Sequence, residues 1–315
     1  MKTNLQRCFM RCLILPLLIS GVSPLLFGQK APDSLPALKD TASFLMVKFK
    51  EGATYYGKLK ENRNDTLVLL MEDLGAVKIP WSKIKKVDRL EYMAVINGKY
   101  WFPTPLPGRY FFSPSAFTLK PGEGYYQNTL LMLNSFNVGV TKWLSLGGGF
   151  EIITTVGSIT AGQFKPTFFL TPKLGVKIAE NLRLGCGALY VHLAGNEFQL
   201  GTVYGVITYG NTDNNISGGV GWGYSKTQKS DLEFQDNPMI TVCATARLAR
   251  KTAFVTENWF VPYTKNGNLA YGAIYSYGLR FFGETLSVDL AFINNKDIFK
   301  VLFIGIPFVA FAVKF

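Results

Sequence analysis

The sequence predicts an all-β protein: a transmembrane antiparallel β-barrel of about twelve strands, with ten as the alternative, preceded by a small five-stranded SH3-like or Sm-like β module. Three observations predict it. From residue 109 onward, alternating segments are separated by gaps that are by turns short and long. Aromatic residues make up 14 % of the chain and charged residues only 17 %, with 31 glycines among 315 residues. The chain ends with Val309, Phe311, Val313 and Phe315 at every second position, which places all four on one face of a strand.

A membrane barrel needs aromatics at both lipid interfaces and small residues in curved strands. A secreted all-β protein would share that mix, so composition alone does not separate the two. Residues 1–28 read as a secretory signal. Lys2, Arg7 and Arg11 form a basic start, 13–27 an apolar run, and Gly28 precedes polar Gln29, the order such a signal requires. Removing the three basic residues takes the net charge from +12 to about +9. An exported chain with that excess attracts lipopolysaccharide phosphates or anionic solutes rather than nucleic acid. Cys8 and Cys12 leave with the signal, and Cys186 and Cys243 lie on segments three strands apart. Two unpaired thiols are expected, with neither a metal site nor a cofactor.

Residues 29–42, with Pro32 and Pro36, read as a linker. Residues 43–91 form the small module. Strands are expected at 44–49, 54–60, 66–71, 76–79 and 84–87, with turns at Glu51-Gly52, 62–65 and 72–75. Gly57-Lys58-Leu59, Leu67-Val68-Leu69, Gly75 and Ile79-Pro80 resemble small Sm-like modules. The resemblance implies a fold whose members bind RNA in some cases, whereas a periplasmic copy is expected to be a cap or a protein contact. Residues 92–108 are an aromatic and proline-rich connector. Tyr100-Trp101-Phe102-Pro103-Thr104-Pro105-Leu106-Pro107 is too rich in proline for a helix or a central strand. It either runs along the rim, the favoured expectation, or turns inward and narrows the pore.

The barrel is expected over 109–315, with strands near 110–117, 125–140, 144–155, 165–178, 182–193, 200–210, 215–226, 238–248, 252–261, 269–282, 285–293 and 301–315. Tight gaps such as Glu180-Asn181 and Gly283-Glu284 alternate with longer polar ones, the rhythm of periplasmic turns and outer loops. Most segments supply the roughly 9–11 residues a tilted spanning strand needs. Pro114, Pro172 and Pro307 fall inside proposed strands, where each removes a ladder hydrogen bond.

Charge settles which face looks inward, because Arg or Lys on the lipid side at mid-membrane costs roughly 2–4 kcal/mol. Leu144, Leu146, Phe150 and Ile152 oppose Ser145, Gly147, Gly149 and Glu151; Leu286, Val288 and Leu290 oppose Ser287 and Asp289. The expected lumen therefore holds Lys173, Arg183, Arg247 and Arg280 against Glu151, Glu257 and Asp289. Ion pairing that fills the interior is one reading; a basic constriction that selects anions is the other.

Val309, Phe311, Val313 and terminal Phe315 resemble the closing strand and assembly signal of Gram-negative outer-membrane barrels, which implies recognition by the barrel assembly machinery. Arg109-Tyr110-Phe111-Phe112-Ser113-Pro114-Ser115-Ala116, Gly122-Glu123-Gly124-Tyr125-Tyr126-Gln127-Asn128, Glu257-Asn258-Trp259 and 308–315 are together similar to a group of uncharacterised outer-membrane barrels of Bacteroidota-type bacteria. That resemblance implies a location in the outer membrane and a porin-like architecture, and no reaction. Catalysis is not expected. The phospholipase arrangement needs a serine two residues after a histidine, and Ala194 follows His192, the one histidine, at that spacing. Two functions remain: a permeation barrel for small solutes, anionic ones included, or a non-conducting structural or binding barrel whose module meets a periplasmic partner.

Overall fold

The computed structural model describes residues 44–63, 65–71, 74–90, 95–96, 99–162, 164–193, 198–227 and 230–315. The expected signal and linker lie outside them. The chain divides into two compact units between Lys99 and Tyr100.

The first unit is a five-stranded antiparallel sheet: β1 (Phe44–Phe49), β2 (Thr54–Asn62), β3 (Thr66–Met71), β4 (Gly75–Pro80) and β5 (Ile84–Leu90) in the order β4-β3-β2-β1-β5. Alternation in these strands sends Leu45, Val47, Leu59, Leu67, Leu69 and Ile79 to one buried cluster. One 3-10 turn, Trp81–Lys83, separates β4 from β5 and sends the chain back to pair with β1. The Trp81 indole fixes that corner by donating to the Arg63 carbonyl at 3.1 Å. A two-residue ribbon, β6 (Val95–Ile96) with β7 (Lys99–Tyr100), follows.

The second unit is a closed antiparallel barrel with twelve wall strands among the described residues. They are β8 (Gly124–Thr129), β9 (Leu133–Gly139), β10 (Leu144–Glu151), β11 (Phe168–Leu170) continued by β12 (Lys173–Ala179), β13 (Leu182–His192), β14 (Gln199–Gly210), β15 (Asn215–Thr227), β17 (Met239–Ala249), β18 (Thr252–Lys265), β19 (Asn268–Phe282), β20 (Leu286–Asn295) and β21 (Ile306–Lys314). β16 (Ser230–Phe234) lies on β15 alone. Pro172 divides one wall strand into β11 and β12, both of which pair with β10 and β13. Helix α1 (Ile152–Thr160) follows β10, and the single turn α2 (Ile298–Val301) precedes β21.

Two departures from the expected strands cancel in the count. Residues 110–117 are not in the wall, which starts at Gly124. Residues 125–140 are two strands, β8 and β9, rather than one. β21 accordingly closes the ring on β8, from Ala310↔Thr129 to Lys314↔Tyr125, and not on 110–117. The terminal residue extends this seam, since Phe315 and Gly124 exchange backbone hydrogen bonds at 2.8 and 3.0 Å. The third strand stops at Glu151, and the final one starts at Ile306 rather than 301.

The wall is apolar outside. Ile216, Trp222, Val242, Leu290, Val309 and Val313 are all exposed on its outer face, an apolar surface far larger than water tolerates on a soluble monomer. Both ends of the barrel chain lie at the end where strands are joined by short turns, such as those between β12 and β13 and between β17 and β18.

Candidate functional site in the plugged lumen

Residues 100–123 form no wall strand. Pro103, Pro105, Pro107 and Pro114 carry no N–H, so this stretch cannot complete a ladder, and its remaining backbone groups need other partners. They find them inside the barrel, which corrects the rim expectation for the aromatic-proline connector. The chain enters at the short-turn end, where the Thr104 N–H and hydroxyl both donate to Asp213 at 2.9 and 2.8 Å. Arg247 clamps the same place, donating to Asp213 at 2.8 Å and to the Phe102 carbonyl at 2.7 Å. The Trp101 and Phe282 rings lie 5.0 and 5.1 Å from its guanidinium.

Beyond the clamp the chain folds back on itself as a finger. Ser115 N–H donates to the Gly108 carbonyl, Arg109 bridges Pro114, and Tyr110 N–H donates to the Ser113 carbonyl. Phe111 and Phe112 form the tip. Three successive N–H groups, of Phe111, Phe112 and Ser113, converge on one oxygen of Glu257 at 2.9, 2.9 and 2.8 Å. The Trp259 indole donates to the other oxygen at 2.7 Å. A carboxylate held in a concavity of backbone N–H groups is a strong, geometrically demanding contact. Glu257 is wholly buried.

The second anchor is ionic. Arg280 on β19 donates through Nε and Nη2 to Asp289 on β20 at 2.6 and 3.0 Å, and through Nη2 to the Tyr110 carbonyl at 2.6 Å. Arg109 of the finger reaches the same carboxylate at 3.1 Å. Tyr110 hydroxyl donates to Asn215 at 2.7 Å and lies 2.6 Å from the Ser217 hydroxyl. The chain leaving the finger is held by Ala116 N–H on Thr208 and Leu119 N–H on Ser145. The wall makes room with glycine. A Cβ at Gly175 would collide with the Ala116 carbonyl oxygen, so only glycine lets the finger lie this close to β12.

Of the residues expected in the lumen, Lys173 donates to the Gly108 and Ser115 carbonyls, and Arg183 stacks over the Phe117 ring at 4.4 Å. Arg280, Asp289 and Glu257 form the two anchors, and Arg247 the clamp. Glu151 is different: it ends β10 at the long-loop end, and its carboxylate caps α1 by accepting from the Ile153 and Thr154 N–H groups. Phe311 and Val313 lie on the outer face with Val309. His192 also points outward, with its ring stacked on Phe168 at 5.2 Å. Among the described residues no group of three or more His, Cys, Asp or Glu side chains is placed to hold a metal ion. Cys186 and Cys243 are both free thiols.

Sequence reasoning missed Arg109, Tyr110 and Asp213. The first two carry the finger but sit in a stretch that alternates like a strand, and Asp213 lies in a turn where acidic residues are common.

No family model matches the chain, and no curated protein matches it. Solved structures similar to it include the porin NanC, at 8 % identity and TM-score 0.39, covering 61 % of this chain and 97 % of that one. OmpT, an outer membrane protein of Vibrio cholerae, is similar as a loop L8 deletion mutant at 9 % identity and TM-score 0.33, covering 87 % and 97 % of the two chains. Its in-vitro folded trimer form is similar at 10 % identity and TM-score 0.32, covering 87 % and 95 %.

Proposed function

We propose that the protein is an outer-membrane barrel whose pore is closed at rest by its own finger, a sealed binding or structural barrel rather than an open porin. The observation that carries this reading is the convergence of three finger N–H groups on buried Glu257, beside the Arg109–Asp289–Arg280 cluster. Glu257 is satisfied by finger N–H groups and Asp289 is shared between a wall and a finger guanidinium, so withdrawing the finger leaves buried charge uncompensated in low dielectric. The basic side chains that would select anions in an open lumen are engaged here with the finger. In this reading small solutes, anionic ones included, cross only when the finger withdraws.

Closure leaves the ring of wall strands without a free edge, and the apolar outer wall is what lipid demands. In this reading the short turns, and with them the finger's entry, face the periplasm, as is usual for such barrels, and the five-stranded module is periplasmic as well. There the module is available to a protein partner. The closing strand, with Val309, Phe311, Val313 and Phe315 on its outer face, is the segment offered to the assembly machinery, while the outer loops meet lipopolysaccharide.

Planar bilayers test the closed state. Folded wild-type protein is expected to pass no steady current, and a variant lacking residues 101–118 to pass ohmic current. Where that deletion does not fold, Glu257→Ala is expected to give flickering openings instead. Steady wild-type conductance would refute the sealed reading.

A further inference from the structure

The finger fills only the half of the barrel nearer the short turns, and the other half has a different chemistry. Ladder register assigns the inward positions above Glu257. On β18 and β19 these include Trp259 opposite Ile274, on β17 Met239 and Thr241, and on β13 Leu189, opposite Thr202 of β14, and Val191, opposite Phe169 of β11. Among the described inward positions above that level, no Lys, Arg, Asp or Glu appears until the rim, where Glu151 caps α1, Glu233 of β16 stands opposite inward Ser225 and Lys265 ends β18. A water-filled lumen is ordinarily polar; this one is uncharged above the tip, with Thr202 and Thr241 set among aliphatic and aromatic side chains, and charged beneath it.

The upper half is also not filled. Phe112, at the finger's tip, has its N–H on Glu257 and its ring 5.1 Å from that of inward-facing, buried Phe308, so it lies within the ring of strands. Yet it is 48 % exposed. A half-bare phenyl ring enclosed by the wall means open space above it, with Phe112 and Phe308 as its floor.

This chamber has a low side. β8 and β9 contain 6 and 7 residues, against 14 and 15 for β18 and β19. Six residues rise about 20 Å along a strand, or about 15 Å at a tilt near 40°, short of an apolar belt about 25 Å tall. The top of the low wall is apolar as well. Leu131 and Met132 are exposed there. So are Ile153 and Val156 on α1, Val301 at the end of α2 and Phe303 in the loop before β21. Leu130 and Leu131 both have positive φ, 54° and 62°. L-residues avoid that conformation at a cost of about 1–2 kcal/mol each, so the strain buys an apolar crest where Asn-Gly would make an easier turn.

We propose that the upper half of the lumen binds an uncharged, chain-like apolar molecule, which enters sideways from the membrane over the β8–β9 crest. The occupant follows from the surroundings: the chamber offers no charge to a polar solute, and its low side opens onto acyl chains. This rests on the reading of the protein as a sealed membrane barrel.

The test is photolabelling of the full chain in phosphatidylcholine nanodiscs with dodecanol carrying a terminal diazirine, mapped by mass spectrometry. Adducts are expected on inward Trp259 and Met239 and on outward Trp222. Ile274→Arg places a charge in the chamber and is expected to lower Trp259 labelling at least tenfold while leaving Trp222 unchanged. If heat-modified gel mobility shows that this variant does not fold, Val261→Lys, nearer the rim, replaces it. Adducts confined to outward residues, or equal Trp259 labelling with and without the inward charge, would overturn the binding site while leaving the membrane barrel standing. Absence of label at Trp222 also would overturn both.

Discussion

Arg280 and Asp289 are direct cross-strand partners on β19 and β20, and the guanidinium engages both carboxylate oxygens. The pair is wholly buried, and Arg109 of the finger makes it a triad with two positive members and one negative. Asp289 therefore carries more than its own bond: it compensates a wall cation and a finger cation together. The wall and its plug share one counter-ion.

Asp289→Ala should cost about 3–5 kcal/mol, the penalty of leaving buried cations without their partner. Urea unfolding of the folded barrel in vesicles measures it. Because the loss falls on the finger as well as the wall, limited proteolysis between Leu106 and Leu119 should become faster in this variant. An unchanged cleavage rate there would show that the finger does not depend on the triad.

The barrel wall was legible in the sequence because lipid on one side and a lumen on the other impose a strict alternation, as on β20 with Leu286, Val288 and Leu290 against Ser287 and Asp289. The count of strands was also legible, although through compensating departures. Residues 110–117 alternate like a strand, but Pro114 and the flanking prolines leave donors that the ladder cannot use, and Glu257 collects three of them. Nothing short of the three-dimensional position of Glu257 reveals that. The β8–β9 turn was invisible for the opposite reason: Leu130-Leu131-Met132 contains none of the Gly, Asn or Asp that usually marks such a turn.

That turn gives a gain-of-stability prediction. Replacing Leu131 with Gly removes the left-handed penalty at φ 62° and should stabilise the barrel by about 1 kcal/mol. A raised urea midpoint at unchanged slope is the expected result. Leu131→Val, which is β-branched and worse suited to positive φ, should lower the midpoint.

Packing of the small module predicts a local effect. Leu67 is fully buried in its core cluster, and Leu67→Ala should cost about 2–5 kcal/mol. Its own compact core makes this loss separable from the barrel. Proteolysis should remove the module from the variant while the barrel keeps its heat-modified gel mobility, and simultaneous loss of both would show that the two units fold as one.

Glycine at 175 makes the last prediction. A side chain there meets the Ala116 carbonyl at the base of the finger, while neighbouring Leu174 and Val176 stay on the outer face. Gly175→Val should leave the wall strand intact, since Val favours strands, and should push the finger off β12. The Lys173 contacts to Gly108 and Ser115 lie beside this point, so they should be lost together. The expected readout is a barrel of native gel mobility that now conducts in planar bilayers. A variant that stays silent while folded would place the seal above Ala116, at the Glu257 and Asp289 anchors.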